Sequence, residues 1–219
     1  MDSTLQLHND LYPKVMPAGA FYAVSSNSPS ASRKLLANIL RADVKAKLTE
    51  ERLREWAETD DTHTALSLLY RLQRLEFLYG EAIPSSQIVE VTSDVFEDIL
   101  GQLSDSHRAL LVDQNGFYFA NVGFNHETAE EVANLASEAI RLSEKNNLLI
   151  KNNLNIYNTA VGICDPAGQS ELTFFPLYIG KNKNILVTAG QPLLNSEAFV
   201  TLVRGLYLLD AEDVQSTKE

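Results

Sequence analysis

The sequence predicts an α+β fold: a three-helix first half, then a five-stranded antiparallel sheet with three helices. Three observations carry this. Residues 33–77 place apolar side chains at helical spacing. The stretch 109–124, ALLVDQNGFYFANVGF, sets two apolar runs about an Asn-Gly turn, a hairpin signal because both residues tolerate positive φ. Residues 156–189 hold three more strand-like runs, separated by the turn-prone DPAGQS and GKNK.

Residues 1–32 show no clear period and end in the loop-like SSNSPSAS. From Arg33 to Leu48, the spacing of Leu35, Leu36, Ile39, Leu40 and Val44 predicts a helix. Thr49 stands before Glu50 and Glu51, as an N-cap with carboxylates in the first turn, and a short helix follows to Glu58. After TDDT, a third helix runs from about His63 to Phe77, with Ala65, Leu68, Leu69, Leu72 and Leu75 inward. Residues 91–108 read as an amphipathic helix carrying Val95, Ile99, Leu100 and Leu103. The hairpin strands are Ala109–Asp113 and Phe117–Gly123, turning at Asn115 and Gly116. An Ala-rich helix spans 128–147, and after an Asn-rich joint come strands Ile156–Cys164, Glu171–Ile179 and Asn184–Ala189. The final helix, Ser196–Leu209, is expected to face the sheet with Phe199, Leu202, Val203, Leu206 and Leu209.

Composition narrows the function. The 219 residues carry a net charge of −11. Residues 1–90 hold 10 basic and 12 acidic side chains, whereas residues 91–219 hold 8 and 17. Phosphate binding needs clustered Lys and Arg, so the acidic second half argues against nucleic acid and anionic lipid. The single cysteine, Cys164, cannot pair within the chain and fits a reducing cytoplasm. No signal peptide is legible at residues 1–17, and no apolar run approaches the roughly 20 residues of a membrane span.

The stretch THTALSLLYRLQRLEFLYG (62–80), after a shorter helix and a polar turn, resembles the recognition helix and first wing strand of a winged-helix domain. A DNA reader would show basic and amide side chains there; Arg71, Gln73 and Arg74 stand beside Glu76, with Asp60 and Asp61 at the helix start. A protein-contact module is the favoured reading. From residue 88 the order helix, strand, strand, helix, strand, strand, strand, helix, with LLVDQNGFYFANVG after the first helix, resembles the roadblock/dynein light chain family. Asp113, Asn115-Gly116 and the helix from Thr128 take that family's strand end, turn and Ala-rich helix. The expected domains are 1–87, helical and winged-helix-like, and 88–214, roadblock-like, with a tail at 215–219.

The resemblance implies function through surfaces. Roadblock-like domains dimerise by joining sheets edge to edge and pairing their middle helices, and bacterial relatives bind or scaffold small Ras-like GTPases. On that basis the expected homodimer interface is Ala129, Val132, Ala133, Ala136, Ala139, Thr159 and Val161. Small side chains let helices approach closely, though the same alanines could equally pack on the parent sheet. The third strand has neither charge nor proline before Asp165, the weakest edge protection of the five.

No catalytic constellation is found. GxxxxGK[ST], GxSxG and HExxH are absent, and one cysteine excludes thiolate zinc cages. His8, His63, His107 and His126 are scattered, and Glu130, Glu131, Asp94, Glu97 and Asp98 read as solvated helix faces. The expectation is a non-enzymatic cytoplasmic regulator or scaffold without cofactor or metal: a homodimer binding a small GTPase or related NTPase assembly. A dimeric DNA-binding regulator and a small-molecule sensor with a GAF- or profilin-like pocket are the alternatives.

Overall fold

The structure, a computed structural model, describes residues 5–85, 93–157 and 160–216. The chain divides into two compact units: Met1–Glu90 with Phe199–Glu219, and Val91–Ala198.

The first unit begins with β1 (Tyr12–Val15) and α1 (Pro17–Val24), continues through α2 (Ala31–Arg41), α3 (Glu50–Ala57) and α4 (Thr62–Arg74), and reaches β2 (Leu78–Glu81). β1 and β2 pair antiparallel, from Tyr12 opposite Glu81 to Val15 opposite Leu78. Helices α3 and α4 lie close to where the apolar spacing puts them, whereas α2 stops at Arg41, seven residues short of the expected Leu48, with Ala42 extended at its C-cap. Thr49 caps α3, its hydroxyl accepting from the Arg52 N–H at 3.2 Å. Asp61 caps α4 by accepting from the His63 and Thr64 N–H groups, which explains the TDDT break. The region expected to be irregular supplies β1 and α1 instead. PAGAFYAV is apolar almost all round, so it has no polar face to reveal a period. The strand after α4 pairs with β1, at the start of the chain.

The last helix, α7 (Glu197–Ser216), belongs to the first unit from Phe199 onward, where the sequence suggested a partner in the sheet. Phe199 lies 6.2 Å from Phe21, ring to ring. Arg204, only 5% exposed, donates from Nη2 to the Ala42 carbonyl at 2.6 Å, placing a cation at the negative end of α2. Asp210 accepts from Arg41 at 3.4 Å, and the Arg41 guanidinium stands over the Tyr207 ring. Phe199, Val200, Leu202, Val203, Leu206 and Tyr207 are all buried, so apolar spacing alone does not choose a face for this helix.

The second unit runs α5 (Ser93–Leu100), β3 (Ala109–Val112), β4 (Tyr118–Val122), α6 (His126–Lys145), a π-turn (Leu149–Asn153), β5 (Val161–Cys164), β6 (Ser170–Ile179) and β7 (Asn182–Ala189). Its five strands form one sheet in the order β4-β3-β7-β6-β5, every pair antiparallel. β3 lies inside the sheet between β4 and β7, and all four of its residues are buried, as an uninterrupted apolar run requires. α5 is shorter than the periodicity of 91–108 suggests. Beyond Gly101 the chain is held in a turn: Ser104 bonds to the Ala189 carbonyl, and the Asp105 carboxylate accepts from the Gln191 N–H at 2.9 Å.

Two hairpins of this sheet turn by the same device. In the β3–β4 turn, Asp113 Oδ1 accepts from the N–H groups of Asn115 (2.8 Å) and Phe117 (2.9 Å). In the β5–β6 turn, Asp165 Oδ1 accepts from those of Ala167 and Gln169, both at 2.8 Å. In each, a glycine three residues after the aspartate takes positive φ, +90° at Gly116 and +84° at Gly168, and the strand register shifts just before the aspartate. VDQNGF and CDPAGQ are thus two copies of one D-x-x-G turn.

Gly116→Val is expected to cost roughly 1–3 kcal/mol, because a β-branched residue is strained at positive φ. Asp113→Ala and Asp165→Ala are each expected to cost about 1–3 kcal/mol through the orphaned N–H groups. Urea unfolding of the full chain measures all three, and a parent-like midpoint for both aspartate variants would contradict the shared turn.

Candidate interaction surface

α6 lies across one face of the sheet. Ala129, Ala133, Ala136 and Ile140 are buried there against Leu110, Val112, Phe174, Ile185 and Val187, with Val132, Ala139 and Val161 packed at the margin of the same cluster. The four-residue spacing of the alanines makes a smooth stripe that lets the helix sit close to the sheet. The three buried alanines belong to the expected interface. Ala129, Ala133 and Ala136 are filled by the chain's own sheet and have no face left for a second copy. Val132, Ala139 and Val161 are half-buried beside them. Thr159 lies outside the described residues.

The opposite side of α6 carries two large apolar side chains in water, Leu135 (42% exposed) and Leu142 (64% exposed). They are seven residues apart, hence on one stripe of the helix. Both were present in the sequence as leucines between Glu131, Glu138 and Lys145, where the alanine spacing is the louder pattern.

β5 is an outer strand of the sheet, pairing among the described residues only with β6. Its residues Val161, Gly162, Ile163 and Cys164 carry no charge and no proline, and Ile163 is 46% exposed. The strand is shorter than the expected Ile156–Cys164. The Asn-rich joint closes into the π-turn, and Asn155 takes a left-handed φ of +55°. The other outer strand, β4, is flanked by α5, whose Phe96 ring meets Phe119 edge-on.

A polar cluster fixes the C-terminal end of α6. Lys183 Nζ donates to both Glu144 oxygens, at 3.0 and 2.9 Å, and the Tyr178 hydroxyl donates to Glu144 Oε1 at 3.1 Å. Burial, with the adjacent Glu144 charge and hydrogen bond, pushes the Tyr178 phenol up to about 12.

The turn residues Asn115 and Gly116 act structurally, as above. His126 shares a 2.6 Å hydrogen bond with the Tyr118 hydroxyl and stands 3.6 Å from Glu130, and His107 Nδ1 contacts the Gly101 carbonyl at 2.7 Å. Neither meets a nucleophile. Cys164 is an exposed free thiol. Among the described residues no group of His, Cys, Asp and Glu side chains could hold a metal ion, and no helix is long and apolar enough to cross a membrane.

No family model and no curated protein matches the chain. Two solved structures are similar to it. One is a roadblock/LC7 domain from Streptomyces avermitilis, 12% identical with a TM-score of 0.36, over 58% of this chain and 99% of that one. The other is MglB of Myxococcus xanthus, 12% identical with a TM-score of 0.33, over 57% of this chain and 94% of that one. The roadblock-like description of the C-terminal part rests on its element order and five-stranded sheet rather than on these scores.

Two outcomes check this surface. Ala133→Leu is expected to cost about 1–3 kcal/mol by overpacking, whereas Leu135→Ser, at protein concentrations too low for self-association, is expected to stay within about 0.5 kcal/mol of the parent. Because the folded-state value of Tyr178 lies above that of a free phenol, its contribution to stability is complete below pH 10 and is lost as pH rises toward 12. Thermal melts of Tyr178→Phe are expected to fall less steeply over that window than those of the parent.

Proposed function

We propose that the protein is a non-enzymatic regulator that works as a homodimer, its joined sheets forming a platform for a small Ras-like GTPase or related NTPase assembly. The observation that carries the dimer is the unpaired, uncharged edge of β5, with Leu135 and Leu142 standing exposed on α6. An open edge strand offers a row of backbone donors and acceptors that an identical strand can satisfy, and a two-fold axis pairs each edge with its own copy. The interface therefore uses the outer side of α6 and leaves the alanine stripe to the sheet.

The GTPase assignment comes from the roadblock resemblance. A protein of this class works by presenting a surface. The first unit serves as a protein-contact module in this reading. Glu51, Glu55, Glu58 and Asp60, with Arg54 and Thr59, line one cleft beside α3, a mainly acidic surface that does not favour phosphate. The two-domain division and a cytoplasmic location, with Cys164 as a free thiol, belong to the same proposal.

Light scattering of the full chain is expected to give a dimer at micromolar concentration. Ile163→Lys combined with Leu142→Glu is expected to give a folded monomer, since both side chains are exposed, with a melting point below the parent's by the stability that dimerisation adds. Affinity capture from native lysate should then retain a Ras-like GTPase on the parent and lose it on the double variant. A parent that is monomeric across that range would overturn the platform.

A further inference from the structure

The C-terminal end of α6 collects features that the dimer edge does not use. Leu148 (76% exposed), Leu149 (49%), Leu154 (57%), Ile156 (49%) and Tyr157 (74%) project around the π-turn. The turn is closed on itself, with the Leu154 N–H donating to the Leu149 carbonyl at 3.2 Å and the Ile156 N–H to the Ile150 carbonyl at 3.0 Å. These side chains are therefore displayed by a defined scaffold.

Charge is segregated at the same end. Residues 145–164 contain no Asp or Glu, in a chain of net charge −11. Arg141, Lys145 and Lys181 are exposed and Lys151 half-exposed, and among the described residues none of the four meets a carboxylate. Lys181 is brought to this end by the Lys183 and Tyr178 contacts to Glu144. The one carboxylate between residues 141 and 164, Glu144, is already held by Lys183.

We infer that this cationic, leucine-bearing end docks the protein peripherally on an anionic lipid surface. Leucine and isoleucine side chains that insert singly, a tyrosine at the boundary and a ring of free cations supply the two signals, apolar and electrostatic, that stable peripheral binding needs. A second copy is a poorer occupant, because a two-fold contact centred on the π-turn sets Lys151 against its own counterpart. A protein partner would be met by a flat, close-packed face, whereas these side chains project one by one from a turn. The opposite expectation followed from net charge, which averages over the separation that the fold produces.

The test is co-sedimentation of the full chain with vesicles of phosphatidylcholine alone and of phosphatidylcholine mixed with phosphatidylserine. Binding is expected only to the mixture and should weaken as salt rises. Leu148→Ser with Tyr157→Ser should abolish it, and Lys151→Gln with Lys181→Gln should weaken it roughly thirtyfold, two basic residues' worth at an anionic surface. None of these four residues is one of the proposed dimer contacts Ile163 and Leu142, so all variants are expected to keep the parent's oligomeric state by light scattering. Equal sedimentation with both vesicle types would overturn the inference, as would full binding by both variants. Retention on poly-glutamate without vesicle binding would assign an acidic protein to this end and overturn it too.

Discussion

The close seat of α6 on the sheet is the contact on which the second unit depends. Ala129, Ala133 and Ala136 bring the helix down onto Leu110, Val112, Phe174, Ile185 and Val187, and larger side chains at those positions would lift it. Seating the helix this way has a consequence for the surface. The small residues are consumed inside, so the apolar side chains left outside, Leu135 and Leu142, are the ones available to a partner. The strand order places β5 at the rim, where its backbone is open. Interface and core are thus opposite faces of one helix.

Charge is organised as firmly as packing. The acidic excess of residues 91–219 does not spread evenly over the second unit. Glu127, Glu130, Glu131 and Glu138 line the first part of α6, while Arg141, Lys145, Lys151 and Lys181 gather at its far end. A net charge of −11 therefore coexists with a local surface that attracts anions. In the first unit cations are spent on structure: Arg204 on the end of α2, Arg41 on Asp210 and Tyr207, Lys34 on Glu58 at 2.6 Å.

Most of the second unit was legible in the sequence because its signals are local. The Asn-Gly turn, the strand-like runs of β6 and β7 between turn residues and the helical propensity of α6 need only neighbouring residues to be read. What escaped depends on distance or on averaging. PAGAFYAV and the C-terminal helix are apolar on too many sides for a period to show, so α1 and the partner of α7 could not be inferred. β1 declares itself only through pairing with β2, more than sixty residues later. The alanines of α6 were recognised as a contact face, but spacing cannot say whether the contact lies inside the chain or between chains. Burial decides that, and it leaves Leu135 and Leu142 as the residues the sequence reading passed over. The repeated D-x-x-G turn could have been found from VDQNGF and CDPAGQ placed side by side.

The central claim is that the β5 edge is closed by a second copy. Backbone hydrogen exchange at Val161–Cys164, followed as protein concentration is raised through the micromolar range, tests it most directly, since an open edge exchanges and a paired one is protected. The account predicts protection that grows with concentration at these residues while that of the interior strand β3 stays constant. Exchange at Val161–Cys164 that is fast and independent of concentration would contradict it.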